Sequence, residues 1–299
     1  MSRLKPFVFA GSTAVVTGAA SGMGEQLAHQ LAGRGGSAVV LVDRDAERLA
    51  GVAAAVRDAY PGTSVDERVA DLGDTEAIGG LVAAIVADHP RITLLVNNAG
   101  VALAGRFDQL TLEEFDWVTR INFVAPVTLT HHLLPTLLAS GNSHIVNLSS
   151  LYGLISPAGQ SAYSASKFAI RGFSQALGAE LRGRGVGVTT VHPGGIRTRI
   201  AETARVGAAV PPEQGQAVRS MADALLTYPP EKAAAEILSA VQHRRARLLI
   251  APSAKIPDVV ARLLPVGHAY LLSWLTKRLA SLARRRHLTG REDHGCPPR

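Results

Sequence analysis

The 299-residue chain is expected to fold as an α/β protein, a doubly wound parallel sheet of about seven strands with helices on both faces. Three observations predict this. Short apolar runs such as TAVVT, AVVLV and TLLVN suit strands that are covered on both faces. Those runs alternate with longer stretches of helical periodicity along most of the length. Hydrophobic residues make up 47% and charged residues 18%, a globular balance with ample material for a core.

Strands are expected at Thr13–Thr17, Ala38–Val42, Ser64–Ala70, Thr93–Asn97, His144–Leu148, Gly187–Val191 and Arg247–Ala251. Between them, helical spacing covers Gly22–Arg34, Ala46–Asp58, Thr75–Ala87, Glu113–Ala139, Ala162–Arg182 and Glu231–Gln242. Glu113–Ala139 reads as one long helix, with Pro126 and Pro135 as places for irregularity. Residues 1–255 are expected to form one domain. Within it, 196–230 breaks the rhythm with Ala, Gly and Pro and reads as a lid over a substrate. An amphipathic helical extension is expected over 256–290, and 291–299 reads as a disordered tail.

Composition narrows the function. The single cysteine, Cys296, forms no internal disulfide, and no Cys/His cluster has zinc spacing, so no metal is expected. The start is too weakly apolar for a signal peptide, and no run is long enough to span a bilayer, so a cytoplasmic protein is expected. Net charge is +7, and the excess crowds the last fifth at Arg244, Arg245, Arg247, Arg262, Lys277, Arg278 and Arg284–Arg286. Nucleic-acid binding is not expected, because aromatics are few and no nucleic-acid motif is present. A solvated basic face accounts for the charge. Peripheral contact with an anionic membrane through the tail is the sharper alternative.

Ligands of a doubly wound sheet bind at the carboxyl ends of its strands, so the residues just past each strand carry the functional argument. Gly18, Ser21, Gly22, Met23 and Gly24 form a glycine-rich turn between the first strand and first helix. Such a turn lets the backbone approach a dinucleotide pyrophosphate at a helix N-terminus. Asp43, just past the second strand, is placed to accept from ribose hydroxyls and repel a 2′-phosphate; a helix cap would use the same residue. Arg44 beside it could pair with that phosphate. NAD is therefore the expected cofactor, with NADP open. Asp71, followed by Leu72, is a candidate for the adenine end, and equally a helix cap. Asn98, Ala99 and Gly100 follow the fourth strand and are expected to touch the cofactor; a plain turn would use the same residue types.

The fifth strand runs into Ser149-Ser150, and Tyr163 and Lys167 share a helix face four residues apart. A neighbouring ammonium and an oxidised nicotinamide both favour a phenolate and so lower the pKa of a tyrosine. Ser150 can hydrogen-bond a substrate oxygen while Tyr163 gives or takes its proton and a hydride moves to or from the nicotinamide.

The motifs TGAASGMG at 17–24, NNAG at 97–100, Asn122, Ser150, YSASK at 163–167 and HPGGIRT at 192–198 occur together, in order, over roughly 13–251. In this the chain resembles the single-domain branch of the short-chain dehydrogenase/reductase family. The resemblance implies a Rossmann-type fold, an oxidoreductase acting on CH–OH groups, and a catalytic tetrad of Asn122, Ser150, Tyr163 and Lys167. It also implies that Lys167 binds the nicotinamide ribose and that Asn122 holds a relay water; an amide capping a helix irregularity is the plain alternative for Asn122, and the two are compatible. Pro193, Gly194, Ile196 and Thr198 would line the nicotinamide, and subunits would pair as homodimers or homotetramers. Leu151, Leu154, Ile155, Gln160, Gly195 and Ile200 are expected around the reacting carbon. Their apolar character fits a hydrophobic secondary alcohol or its ketone. An epimerase and a non-catalytic dinucleotide-binding protein are the rival readings.

Overall fold

The computed structural model describes residues 4–200 and 202–270. The chain runs β1 (Thr13–Thr17), α1 (Gly22–Gly33), β2 (Ala38–Asp43), α2 (Ala46–Ala59), β3 (Ser64–Val69), α3 (Ile78–Asp88) and β4 (Leu94–Asn97). It continues through β5 (Leu103–Ala104), α4 (Leu112–Thr119), α5 (Ala125–Ser140), β6 (Ser143–Leu148), α6 (Ser161–Glu180) and β7 (Val186–Pro193). Last come β8 (Arg205–Val206), α7 (Pro212–Leu225), α8 (Pro230–Gln242), β9 (Arg247–Ile250) and α9 (Pro252–Leu263). Seven strands form one parallel sheet in the order β3-β2-β1-β4-β6-β7-β9, and β5 pairs with β8 apart from it. This is the Rossmann-type doubly wound fold. The chain winds outward in opposite directions from β1 and β4, which leaves a crevice at their carboxyl ends.

Burial explains the strand composition. Every residue of β1, β4, β6 and β7 is buried, so polar alternation has no place there. The edge strand β3 (SVDERV) is mostly half-exposed and carries charge. One face of the sheet is covered by α1, α2 and α8 through Leu27, Leu31, Leu49, Val56, Ile237 and Val241. The other is covered by α3, α5 and α6 through Ile78, Ile85, Leu129, Leu133 and Leu177. Each such side chain contributes ~1.5–3 kcal/mol by leaving water.

Four expectations need correction. The helix expected over Glu113–Ala139 is interrupted by a π turn at Arg120–Val124, which divides α4 from α5. The irregularity is centred on Asn122, not on a proline; Pro126 sits in the first turn of α5, where its missing N–H costs nothing. The third helix begins at Ile78 rather than Thr75, after a turn in which Asp74 accepts from the Ala77 amide at 3.3 Å. Ala251 leaves the last strand with φ +68°, which turns the chain sharply into α9. The excursion 196–230, read as irregular, contains β8 and α7. Its neck is closed where Arg197 donates to the Tyr228 carbonyl at 2.8 Å and Tyr228 donates to that of Gly195 at 2.9 Å.

At the amino edge of the sheet, the side chain of Arg244 gathers two separate segments, 5–7 and 142–144. It donates to the carbonyls of Lys5, Asn142 and Ser143 at 3.0, 2.9 and 2.6 Å, contacts His144 Nδ1 at 2.9 Å, and lies over the Phe7 ring. Burial lowers its pKa to about 10 and holds His144 neutral, at about 3. No helix among the described residues is long and apolar enough to cross a membrane. The extension expected over 256–290 is described only to residue 270; the basic residues from Lys277 onward and the tail 291–299 lie outside the described residues.

Candidate active site

The glycine-rich turn is shaped by contacts that exclude side chains. Gly18 and Gly22 have φ of +64° and +59°, which suits glycine. A Cβ on Gly24 would stand 2.0 Å from the Gly18 carbonyl oxygen. Asn98 ties this turn to the loop after β4, its side chain donating to the carbonyls of Thr17 and Gly18 at 2.9 and 3.1 Å. Thr17 Oγ1 accepts from the amides of Asn98 and Ala99, both at 3.0 Å. Sequence reading missed Thr17, because a strand-end threonine looks like any β-branched residue.

Asp43 closes the same corner. Its carboxylate accepts from the amides of Ala20 at 3.0 Å and Asp45 at 3.1 Å. The cap of α2 is Asp45, not Asp43, so the capping alternative for Asp43 falls away. Arg44 is exposed beside it. Asp71 is exposed and accepts from Gly73 N–H at 2.8 Å, a local turn rather than a helix cap, and Leu72 is buried beneath it. Across from Ser21 and Gly22 stands Thr198, and a cleft of about 290 Å³ opens there, lined also by Gln26, Arg48 and Arg197.

Four side chains named from the sequence converge at the carboxyl ends of β4 and β6. The Ser150 hydroxyl faces the Tyr163 phenol and accepts from Tyr152 N–H at 3.1 Å. Lys167 Nζ donates to the Leu148 carbonyl at 3.0 Å and lies 5.6 Å from the centre of the Tyr163 ring. Asn122, in the π turn, grips Val101 at both backbone atoms, accepting at 2.8 Å and donating at 2.9 Å, and also donates to Ser166 Oγ at 3.1 Å. Gly100 sits between Asn122 and Lys167: a Cβ there would lie 3.2 Å from Asn122 Oδ1 and 3.3 Å from Lys167 Nζ.

The electrostatics differ from the expectation. Burial pushes the Tyr163 phenol up to about 12, although Ser150 pulls it down; Tyr152, whose ring lies 6.0 Å away, adds to the rise. Burial pulls the Lys167 ammonium down to about 8. The expected lowering of Tyr163 by its lysine is therefore not a property of the protein alone: the desolvation cost of a phenolate outweighs a cation that is directed at a carbonyl.

Further residues brace the site. His192 Nδ1 lies 3.1 Å from the Ser150 carbonyl, and burial lowers its pKa to about 4, so the neutral ring donates there. Ser149 Oγ donates to the Lys167 carbonyl at 2.7 Å, and Gly195 N–H donates to Ser253 Oγ at 3.1 Å. Nothing in the sequence around Ser253 signals this contact, which depends on the turn at Ala251. Leu154 and Ile155 are buried behind Ser150, while Leu151, Gln160, Gly195 and Ile200 are half-buried. Pro193 and Ile196 are buried, with Gly194 between them packed against Ser253.

A crevice at the switch point of a doubly wound sheet, rimmed by glycines and backed by a hydroxyl–phenol–ammonium cluster, is the architecture of a dinucleotide-dependent oxidoreductase. The family model described as "short chain dehydrogenase" matches residues 12–208. The chain belongs to the short-chain dehydrogenase family, whose members are oxidoreductases of CH–OH groups. It is 38% identical to SadH of Mycobacterium tuberculosis over 89% of this chain and 95% of that protein. A short-chain dehydrogenase/reductase from Burkholderia phymatum, solved in complex with NAD, superposes with a TM-score of 0.79 at 27% identity, covering 86% of this chain and 95% of the other. One from Sphingobium yanoikuyae, in complex with NADPH, gives 0.70 at 27% identity, covering 96% and 98%.

Proposed function

We propose that this protein transfers a hydride between NAD(H) and a hydrophobic secondary alcohol or its ketone, with Tyr163 as the general acid/base. The observation that carries the reading is the convergence of Ser150, Tyr163, Lys167 and Asn122 on one point of the crevice. The residues present fit a dinucleotide. Gly18, Gly22 and Gly24 keep side chains out of the approach to the α1 N-terminus, and the cleft between Ser21, Gly22 and Thr198 continues it. The carboxylate of Asp43 suits ribose hydroxyls and disfavours a 2′-phosphate. Exposed Arg44 keeps NADP as the second choice, and bound neighbours carry both forms.

Bound there, the dinucleotide supplies the nicotinamide carbon that accepts or returns the hydride and, when oxidised, a positive charge that favours the phenolate. Ser150 holds the substrate oxygen toward Tyr163. Tyr163 takes the hydroxyl proton in oxidation and returns it in reduction. Lys167, with its pKa near 8, exchanges that proton close to neutrality, and its Nζ, beside Gly100, would hold the nicotinamide ribose. Asn122 keeps Val101 fixed, and with it the neighbouring Gly100 that lies against Lys167; a relay water would share the Asn122 Oδ1 with the Val101 amide. Buried Leu154 and Ile155 favour an apolar substrate, and the excursion 196–230 covers it as a lid on a closed neck. Pairing into homodimers or homotetramers is part of the same reading, supported by the exposed Phe168 on α6.

The test is a panel of secondary alcohols offered with NAD and with NADP, followed optically, for the parent and for Tyr163→Phe. The parent is expected to give net reduced cofactor, which an epimerase or a non-catalytic binder would not. The variant should lose at least ~10²-fold in turnover while still binding cofactor. Near-normal turnover in the variant would refute the assigned role of Tyr163.

A further inference from the structure

Helix α9 is apolar on its outward face as well as on its inward one. On a surface helix the apolar stripe ordinarily faces the core. Here the inward face carries Ala254 and Asp258, both buried, and Asp258 is paired with Arg247 of β9 and with Arg262, the latter at 3.1 Å. That ion pair fixes the rotation of the helix. Ile256, Val259 and Leu263, at i, i+3 and i+7, are left facing outward, 64%, 54% and 75% exposed, and Val266 and Tyr270 are also exposed. A stripe of this length is not the scatter of single apolar residues found on any surface.

The stripe begins at the rim of the catalytic crevice. Ala251 turns the chain into α9 directly at the carboxyl edge of the sheet, Ser253 accepts from Gly195, and the helix packs against the 3₁₀ turn Leu151–Gly153. Its surroundings are cationic. Lys255 and Arg262 are exposed beside the stripe, and the sequence continues with Lys277, Arg278 and Arg284–Arg286. Asp258 is the one carboxylate from Pro252 to Arg286, and it is buried and paired. A second copy packed symmetrically on this face would bring Lys255 and Arg262 near their own counterparts. A surface offering both acyl chains and anionic headgroups satisfies stripe and charge at once.

We propose that the outward face of α9 docks on an anionic lipid membrane, setting the rim of the crevice at headgroup level. This is an interaction surface, and its test does not depend on turnover. The full chain is co-sedimented with phosphatidylcholine vesicles, with and without phosphatidylglycerol, beside the variant Ile256→Ser/Val259→Ser/Leu263→Ser. Those side chains face outward, so the variant should melt with the parent. The parent is expected to sediment with the anionic vesicles only and to be released by salt. The variant should bind at least ~tenfold more weakly. The proposal is overturned if the parent stays in the supernatant, if it binds neutral vesicles equally, or if the variant binds as the parent does. It is also overturned if the variant instead halves the oligomeric size with vesicle binding absent in both. None of these outcomes bears on the proposed chemistry at Tyr163.

Discussion

Lys167 should cost the free protein stability at neutral pH, and Lys167→Met should recover it. The ammonium is 3% exposed and has one hydrogen bond, to the Leu148 carbonyl. Burial lowers its pKa from 10.5 to about 8. Each tenfold loss of proton affinity is worth ~1.4 kcal/mol, so the charged form is disfavoured by ~3 kcal/mol in the folded state. The sign follows from the protons bound. Below pH 8 both folded and unfolded chains carry the charge, and the full cost is present. Between 8 and 10.5 the unfolded chain binds more protons, so stability rises with pH and the cost fades. Methionine fills a similar volume without the charge. Lost hydrogen bonding to Leu148 offsets about 1 kcal/mol, leaving a net gain of ~2 kcal/mol at pH 7. The assay is urea unfolding of cofactor-free parent and variant at pH 7 and 9.5. The variant's advantage should shrink by ~2 kcal/mol between them, and its turnover should collapse. A difference that does not change with pH, or a variant less stable at pH 7, would refute the reasoning.

Two further substitutions probe other parts of the molecule. Asp43→Ala should weaken NAD binding ten- to a hundredfold, from the loss of charge-assisted hydrogen bonds worth ~1.5–3 kcal/mol. NADP should weaken much less, because Arg44 remains; calorimetric titration with each dinucleotide decides, and a parent that already prefers NADP would contradict the reading. Arg244→Ala should destabilise by roughly 2 kcal/mol, since three carbonyls and His144 lose a half-buried charged partner. Thermal melting should show a drop of several degrees, with activity retained at low temperature because Arg244 lies at the amino edge, away from the crevice.

The central strands were legible because fully buried parallel strands leave an unbroken apolar run, as in TAVVT. Edge strand β3 is legible through its alternation rather than through an unbroken apolar run. The break at Asn122 left no local mark. It depends on Val101 and Ser166, residues 21 and 44 positions away, which hold the amide in place. Helix α7 opens with Pro212 inside a segment whose Ala, Gly and Pro content reads as loop. The pairing of Tyr163 with Lys167 was visible as a helix spacing. The direction in which Tyr163 titrates was not, since its burial is a tertiary fact. Asp43 was placed correctly at its strand end, but its bond to the Ala20 amide required the fold.

The stitching of Asn98 and Thr17 has a consequence for how such a protein can change. The lips of the crevice at β1 and β4 are joined by four hydrogen bonds between two adjacent loops, so this half behaves as a preassembled socket. The excursion 196–230 hangs from a two-bond neck, with further ties at β5 and where the Ala208 amide donates to Glu114 at 3.0 Å. Replacing or lengthening that excursion disturbs none of the bonds of the socket. Selection can therefore rewrite the outer part of that surface loop, beyond Thr198, while the socket at β1 and β4 is inherited unchanged.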